Sequence, residues 1–215
     1  MIEKENMSFS KEFKEAISNL PDKEKDKLLF RLLRKDMKLA NRLYFELISD
    51  YSVEEEREKV REALGKQIQS ISNDHYSIGY LSMDVRSLSG IINEHVSTTK
   101  DKIGEIELNI FLLIEVLSKN KDRIFRSHPS KAQKFSTAVV ARVFKILLLI
   151  NKLHPDFRLE FKDELAELGN IIGDNPYIMK MAIFNGLDVN WLTSRDIPED
   201  IEEIYKDLRS RGYLR

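Results

Sequence analysis

Apolar residues recur along nearly the whole chain at spacings of three and four. No stretch alternates apolar and polar as a half-buried strand would. The pattern predicts helices near 9–19, 22–35, 38–50, 53–72, 76–98, 101–118, 130–153, 157–169, 175–185 and 199–211. The segment "LLFRLLRKD" (Leu28–Asp36) sets leucine pairs four residues apart with basic residues in the gaps, so one helix presents a broad apolar face beside a cationic stripe. A helix of the same build ends in "ILLLI" (Ile146–Ile150). "LLFRLLRKDMKLANRLYFEL" (Leu28–Leu47) and "ILLLINKLHPDFRLEFKDEL" (Ile146–Leu165) each read as a leucine-rich helix, a polar break and a second amphipathic helix. "IFLLIEVLSKNKDRIF" (Ile110–Phe125) repeats only the first half. The expected fold is all-α: an irregular array of about ten helices built from antiparallel hairpins, with solenoid curvature as a variant of it. One domain over 1–215 is expected, and its natural subdivision is the irregular stretch 119–129, between 1–118 and 130–215.

Helix-start chemistry supports these boundaries. Pro21 suits a first helical position, with Asp22 and Glu24 in the first turn. Ser52 and Glu55 have capping-box spacing, as do Ser130 and Gln133. Asn175-Pro176 and the run Ile197-Pro198-Glu199-Asp200 mark two further starts. In "GNIIGDN" (Gly169–Asn175) Gly169 or Gly173 ends one helix and Asn175 caps the next.

Composition narrows the function classes. The 215 residues carry 33% charged side chains but a net charge of only −1, so no global field draws the chain to nucleic acid or to an anionic membrane. Cysteine is absent, which removes disulfide frameworks, thiolate metal sites and a cysteine nucleophile together. Charges interrupt "MIEKENMSFSKEF" where a signal peptide needs an apolar core, and "ILLLI" is far shorter than the ~20 residues of a membrane span. A soluble cytoplasmic protein is expected.

Local charge is less even. The basic residues Lys119, Lys121, Arg123, Arg126, Lys131, Lys134, Arg142 and Lys145 meet only Asp122, whereas Asp156 to Asp207 is strongly acidic. On one helix Lys131, Lys134, Arg142, Lys145 and Lys152 share a stripe roughly 80° wide. Glu160, Asp163, Glu164 and Glu167 share a face of the next, so the two stripes flank one seam if these helices pack antiparallel. Open to solvent, the basic region would instead be an RNA or anion surface, with Phe125 and Phe135 as its stacking aromatics.

Catalytic patterns are sparse. His75, His95, His128 and His154 are too scattered to suggest a metal-binding pair, and there is no HExxH, phosphate-cradling glycine loop or nucleophile elbow. Two E-x-x-E pairs, Glu164/Glu167 and Glu199/Glu202, fall on separate helices. This spacing resembles the magnesium-binding pairs of all-α nucleotide pyrophosphohydrolases, whose carboxylates hold the metal that engages the phosphates. The second pair departs from that pattern by ending in Glu instead of Asp, and the same spacing occurs at Glu12/Glu15 and Glu55/Glu58. The resemblance implies a magnesium-dependent hydrolase using those four carboxylates. The expectation favoured by the rest of the chain is a non-enzymatic interaction or scaffold protein with no cofactor and a protein partner. Met179, Met181, Phe184 and Trp191 are its candidate apolar contact surface.

Overall fold

A computed structural model of the chain describes residues 9–74, 77–194 and 196–215. The expectation attached to His75 lies outside these residues. Everything described is helix or connection, with no strand among the described residues. The chain divides into two compact units, Met1–Ser49 and Asp50–Arg215. The 119–129 stretch lies inside the second of them, where Ile124 is fully buried.

The first unit holds α1 (Lys11–Ser18), α2 (Asp22–Leu33) and α3 (Met37–Ile48). Ser10 caps α1 by accepting from the Phe13 N–H, and Asp36 caps α3 by accepting from the Leu39 N–H. Pro21 sits one position ahead of α2, its carbonyl accepting from the Glu24 and Lys25 N–H groups. Local helix signals are thus satisfied, yet none of the residues in these three helices is buried.

The second unit comprises α4 (Val53–Asn73), α5 (Ile78–Thr99), α6 (Lys102–Lys119), α7 (Lys121–Phe125), α8 (Pro129–Asn151), α9 (Pro155–Arg158), α10 (Lys162–Gly173), α11 (Pro176–Phe184), α12 (Asn190–Thr193) and α13 (Ile201–Ser210). A 3-10 turn, Leu159–Phe161, joins α9 to α10. The predicted capping box at the start of α4 forms: Ser52 Oγ accepts from the Glu55 N–H at 3.1 Å, and Glu55 Oε2 accepts from the Ser52 N–H at 2.7 Å. Asn175 caps α11 by accepting from Tyr177 and Ile178. The second predicted box does not form. Pro129 begins α8, with His128 in the capping position, because proline in the first turn sacrifices no helical hydrogen bond. The last start also moves, to Ile201.

α6 is the hub, with half of its residues buried, packing on α4, α5, α8 and α10; α8 packs in turn on α5, α11 and α13. A solenoid repeat touches only its neighbours. Here one apolar helix is shared by several others, so the second unit is a bundle around α6 and α8. α10 ends at Gly173, the second of the two expected positions, and Gly169 has another role. It lies within α10, where an added Cβ would come 2.7 Å from Thr193 Cγ2 and 3.0 Å from Leu192 Cβ, so its missing side chain lets α12 lie close. Among the described residues no helix is long and apolar enough to cross a membrane.

Candidate functional site

The most constrained polar cluster joins α4, α5 and α6. Asp101 ends the short break before α6 and caps it, accepting from the Gly104 N–H at 2.8 Å. Arg57 of α4 grips the same carboxylate with both prongs, Nε at 2.7 Å and Nη2 at 2.8 Å, and its Nη1 reaches Glu107 at 3.1 Å. His95 Nε2 lies 3.1 Å from Asp101 Oδ2. The Asp101 and His95 side chains are only 3% and 2% exposed. Burial pushes the Asp101 carboxyl up, but hydrogen bonds from His95, Arg57 and the Gly104 N–H, together with the Arg57 charge, outweigh it and hold the pKa at about 2. Burial alone would lower the Arg57 pKa, and Asp101 and Glu107 reverse that and raise it. Gly104 leaves the room: a Cβ there would fall 1.9 Å from Asp101 Oδ2. Every side chain in the cluster answers another, which makes it an internal clamp.

Beyond Glu107 a cleft of about 190 Å³ opens between α4, α6 and α10, floored by Phe111 and Phe161 and edged by Arg61, Glu107, Glu115, Glu164 and Glu167. Arg61 stacks on the Phe111 ring, 4.7 Å from its centre. The first E-x-x-E pair therefore lines a cleft, but the second does not reach it. Glu202 pairs with Lys206 at 3.6 Å on α13, and the Glu199 carbonyl accepts from Asn151. α10 packs on α6 while α13 packs on α8, so the two pairs sit on different helix partners. No three described His, Asp or Glu residues are placed to hold a metal ion. The pyrophosphohydrolase pattern is thus not reproduced in space.

The basic stretch is largely occupied by the fold. Lys119 pairs with Glu115 at 3.4 Å and donates to Gln69, and Lys121 pairs with Asp174 at 3.5 Å. Arg123 donates to the carbonyls of Ile71, Ser72 and Asp74, satisfying the end of α4. Lys145 pairs with Glu105 of α6 at 2.8 Å, so α6, not α10, supplies the acid expected across a seam. Arg142 is half-buried, donating to Ser89 Oγ and the Val85 carbonyl. Arg126, Lys131 and Lys134 are exposed and make no ion pair among the described residues. Phe125 is exposed and Phe135 is buried.

The candidate apolar surface separates into two parts. Met181 is buried and Trp191 packs edge-on against Phe144 with ring centres 6.3 Å apart, so these two close the core, while Met179 is half-buried. Phe184 is exposed beside Ile183 and meets Tyr213 edge to face.

A larger apolar surface lies where sequence periodicity placed an ordinary packed face. Phe13, Leu29, Phe30, Leu32, Leu47 and Ile48 of α1–α3 are all exposed, Phe30 at 59% and Leu47 at 77%. An open groove on the first unit is lined by Leu20 and Leu28, with Glu24, Lys27 and Arg31 along it. The acids of α2 and α3 are mostly engaged: Asp22 with Lys25, Glu24 with Lys27, Glu46 with Arg42, and Asp36 as a cap. Lys23, Arg31, Arg34, Lys35 and Lys38 make no ion pair among the described residues, leaving a surplus of positive charge around the apolar patch. Comparison with known proteins finds no matching family model, no matching curated sequence and no matching solved structure.

Proposed function

We propose that this protein acts by protein–protein contact, its α1–α3 unit receiving an amphipathic helix whose apolar stripe is flanked by acidic residues. The carrying observation is that three helices, two of them with side-chain N-caps, bury none of their own residues while exposing Phe13, Leu29, Phe30 and Leu32. Apolar patches of this kind on otherwise polar chains mark interaction sites. Helix-in-groove recognition uses such a surface, and Lys23, Arg31, Arg34 and Lys38, without an ion pair among the described residues, select the acidic flanks.

The test places a photo-crosslinking residue at position 30 of the full chain in its native cell. Expected is one dominant adduct to a helical segment rich in Asp and Glu, abolished when Leu29 and Leu32 are both changed to Asp. Crosslinks confined to residues 50–215, to a second copy of the chain or to lipid would replace this function with self-closure, self-association or surface adsorption.

A further inference from the structure

A second feature stands apart from the apolar unit. Between α5 and α8 lies a small cleft of about 60 Å³, lined by Ser82, Val85, Arg86, Phe135, Ala138, Val139 and Arg142. Two guanidinium groups share it and no carboxylate does. Arg142 is held in place from behind by Ser89 Oγ and the Val85 carbonyl, which use one N–H from each terminal nitrogen and leave the others free. Arg86 is exposed and makes no hydrogen bond or ion pair among the described residues. Ser82 is half-buried, and its hydroxyl likewise has no partner among the described residues. Lys131 and Lys134, also unpaired, lie on the same stripe of α8 as Ala138 and Arg142. Like charges converging without a counterion are costly, and the cost shows at Arg142, where burial first and then the Arg86 charge lower the pKa.

We infer that this cleft is a binding site for a single tetrahedral oxyanion, a phosphate group gripped by Arg86 and Arg142 with the Ser82 hydroxyl as third donor. Arginine forks match phosphate oxygens in pairs, and Arg142 is pre-positioned for it. The size limits the ligand. At about 30 Å³ per water the cleft holds roughly two water volumes, enough to enclose one phosphate group and little more. Any remainder of a phosphate monoester would extend outward past Arg86 into solvent.

The probe is inorganic phosphate, titrated into the full chain and followed by backbone NMR. Expected are saturable shifts of the Ser82, Arg86 and Ala138 amides. Arg86→Gln, at an exposed position, should weaken binding by roughly tenfold or more while the far-ultraviolet circular dichroism is unchanged. Lys131→Gln should weaken it far less. A parallel titration with glycerol phosphate separates the two sources of the same chemistry. Tighter binding of the monoester assigns the site to a phosphorylated small molecule, and equal or weaker binding assigns it to the free ion. Shifts that fail to saturate, or equal affinity in the Arg86→Gln protein, would overturn the site. So would an RNA oligomer that bound through Lys131 and Lys134 while phosphate bound nowhere.

Discussion

Replacing Asp101 with alanine should cost roughly 3–5 kcal/mol of unfolding free energy, read as a shifted urea midpoint at neutral pH. The change removes the α6 cap and strands Arg57, whose side chain is only 16% exposed, with Glu107 alone. A largely buried guanidinium that keeps only one of its two carboxylate partners is the main penalty, because Arg57 cannot shed its charge. A double-mutant cycle with Arg57→Ala should be strongly non-additive, since either single change already breaks the bidentate pair. A loss near that of an ordinary surface pair, below about 1 kcal/mol, would refute the clamp. The same carboxylate sets an acid limit. Its pKa is about 2 in the folded chain against an ordinary 3.8, so it binds its proton less readily when folded. The stabilisation is therefore fully present above about pH 4 and is lost as pH falls through about 2, a contribution of roughly 2 kcal/mol. The wild-type urea midpoint should drop across that window more steeply than that of the Asp101→Ala protein.

Phe144→Ala should cost about 3–5 kcal/mol. Phe144 is fully buried in α8 and meets two rings, Trp191 at 6.3 Å and Tyr205 at 5.8 Å between centres. Its removal leaves a cavity where α8, α12 and α13 converge, too enclosed to collapse without moving those helices. Trp191 is the only tryptophan, so its fluorescence reports the site directly. The emission should shift to the red in the folded variant, and the urea transition should move to lower concentration. An unchanged emission with less than about 1 kcal/mol lost would mean that Trp191 does not pack on this ring.

Much of the fold was legible because helix signals are local. The period of three and four, the Ser52–Glu55 box and the Asn175-Pro176 start all name residues within a turn of each other, and the helices form near where they predict. The site residues were not legible for the opposite reason. Arg57 and Asp101 are 44 residues apart, Arg123 satisfies carbonyls of a helix that ended some 50 residues earlier, and Arg86 shares a cleft with Arg142 of another helix. Nothing in the spacing of His95 and Asp101 distinguishes a buried contact from two ordinary surface residues. The sharpest difference lies between two helices of equal pattern. Ile146, Leu147 and Ile150 of "ILLLI" are fully buried, whereas Leu29, Phe30 and Leu32 of "LLFRLLRKD" face outward. Periodicity states that a helix has an apolar face; only the supply of neighbouring helices decides whether that face is covered. α8 has α5, α6, α11 and α13 around it, and α2 pairs with α3.

That contrast is also the basis of the functional proposal, because a face left uncovered is free for a partner. Hydrogen exchange on the purified full-length chain tests it most directly. Buried α6 and α8 should exchange only through large-scale unfolding, while the amides of α1–α3, with no buried side chain above them, should exchange through local opening, orders of magnitude faster. Protection of α1–α3 equal to that of α6 would contradict the account, since the apolar face of Phe13, Leu29, Phe30 and Leu32 would then already be covered within the chain itself.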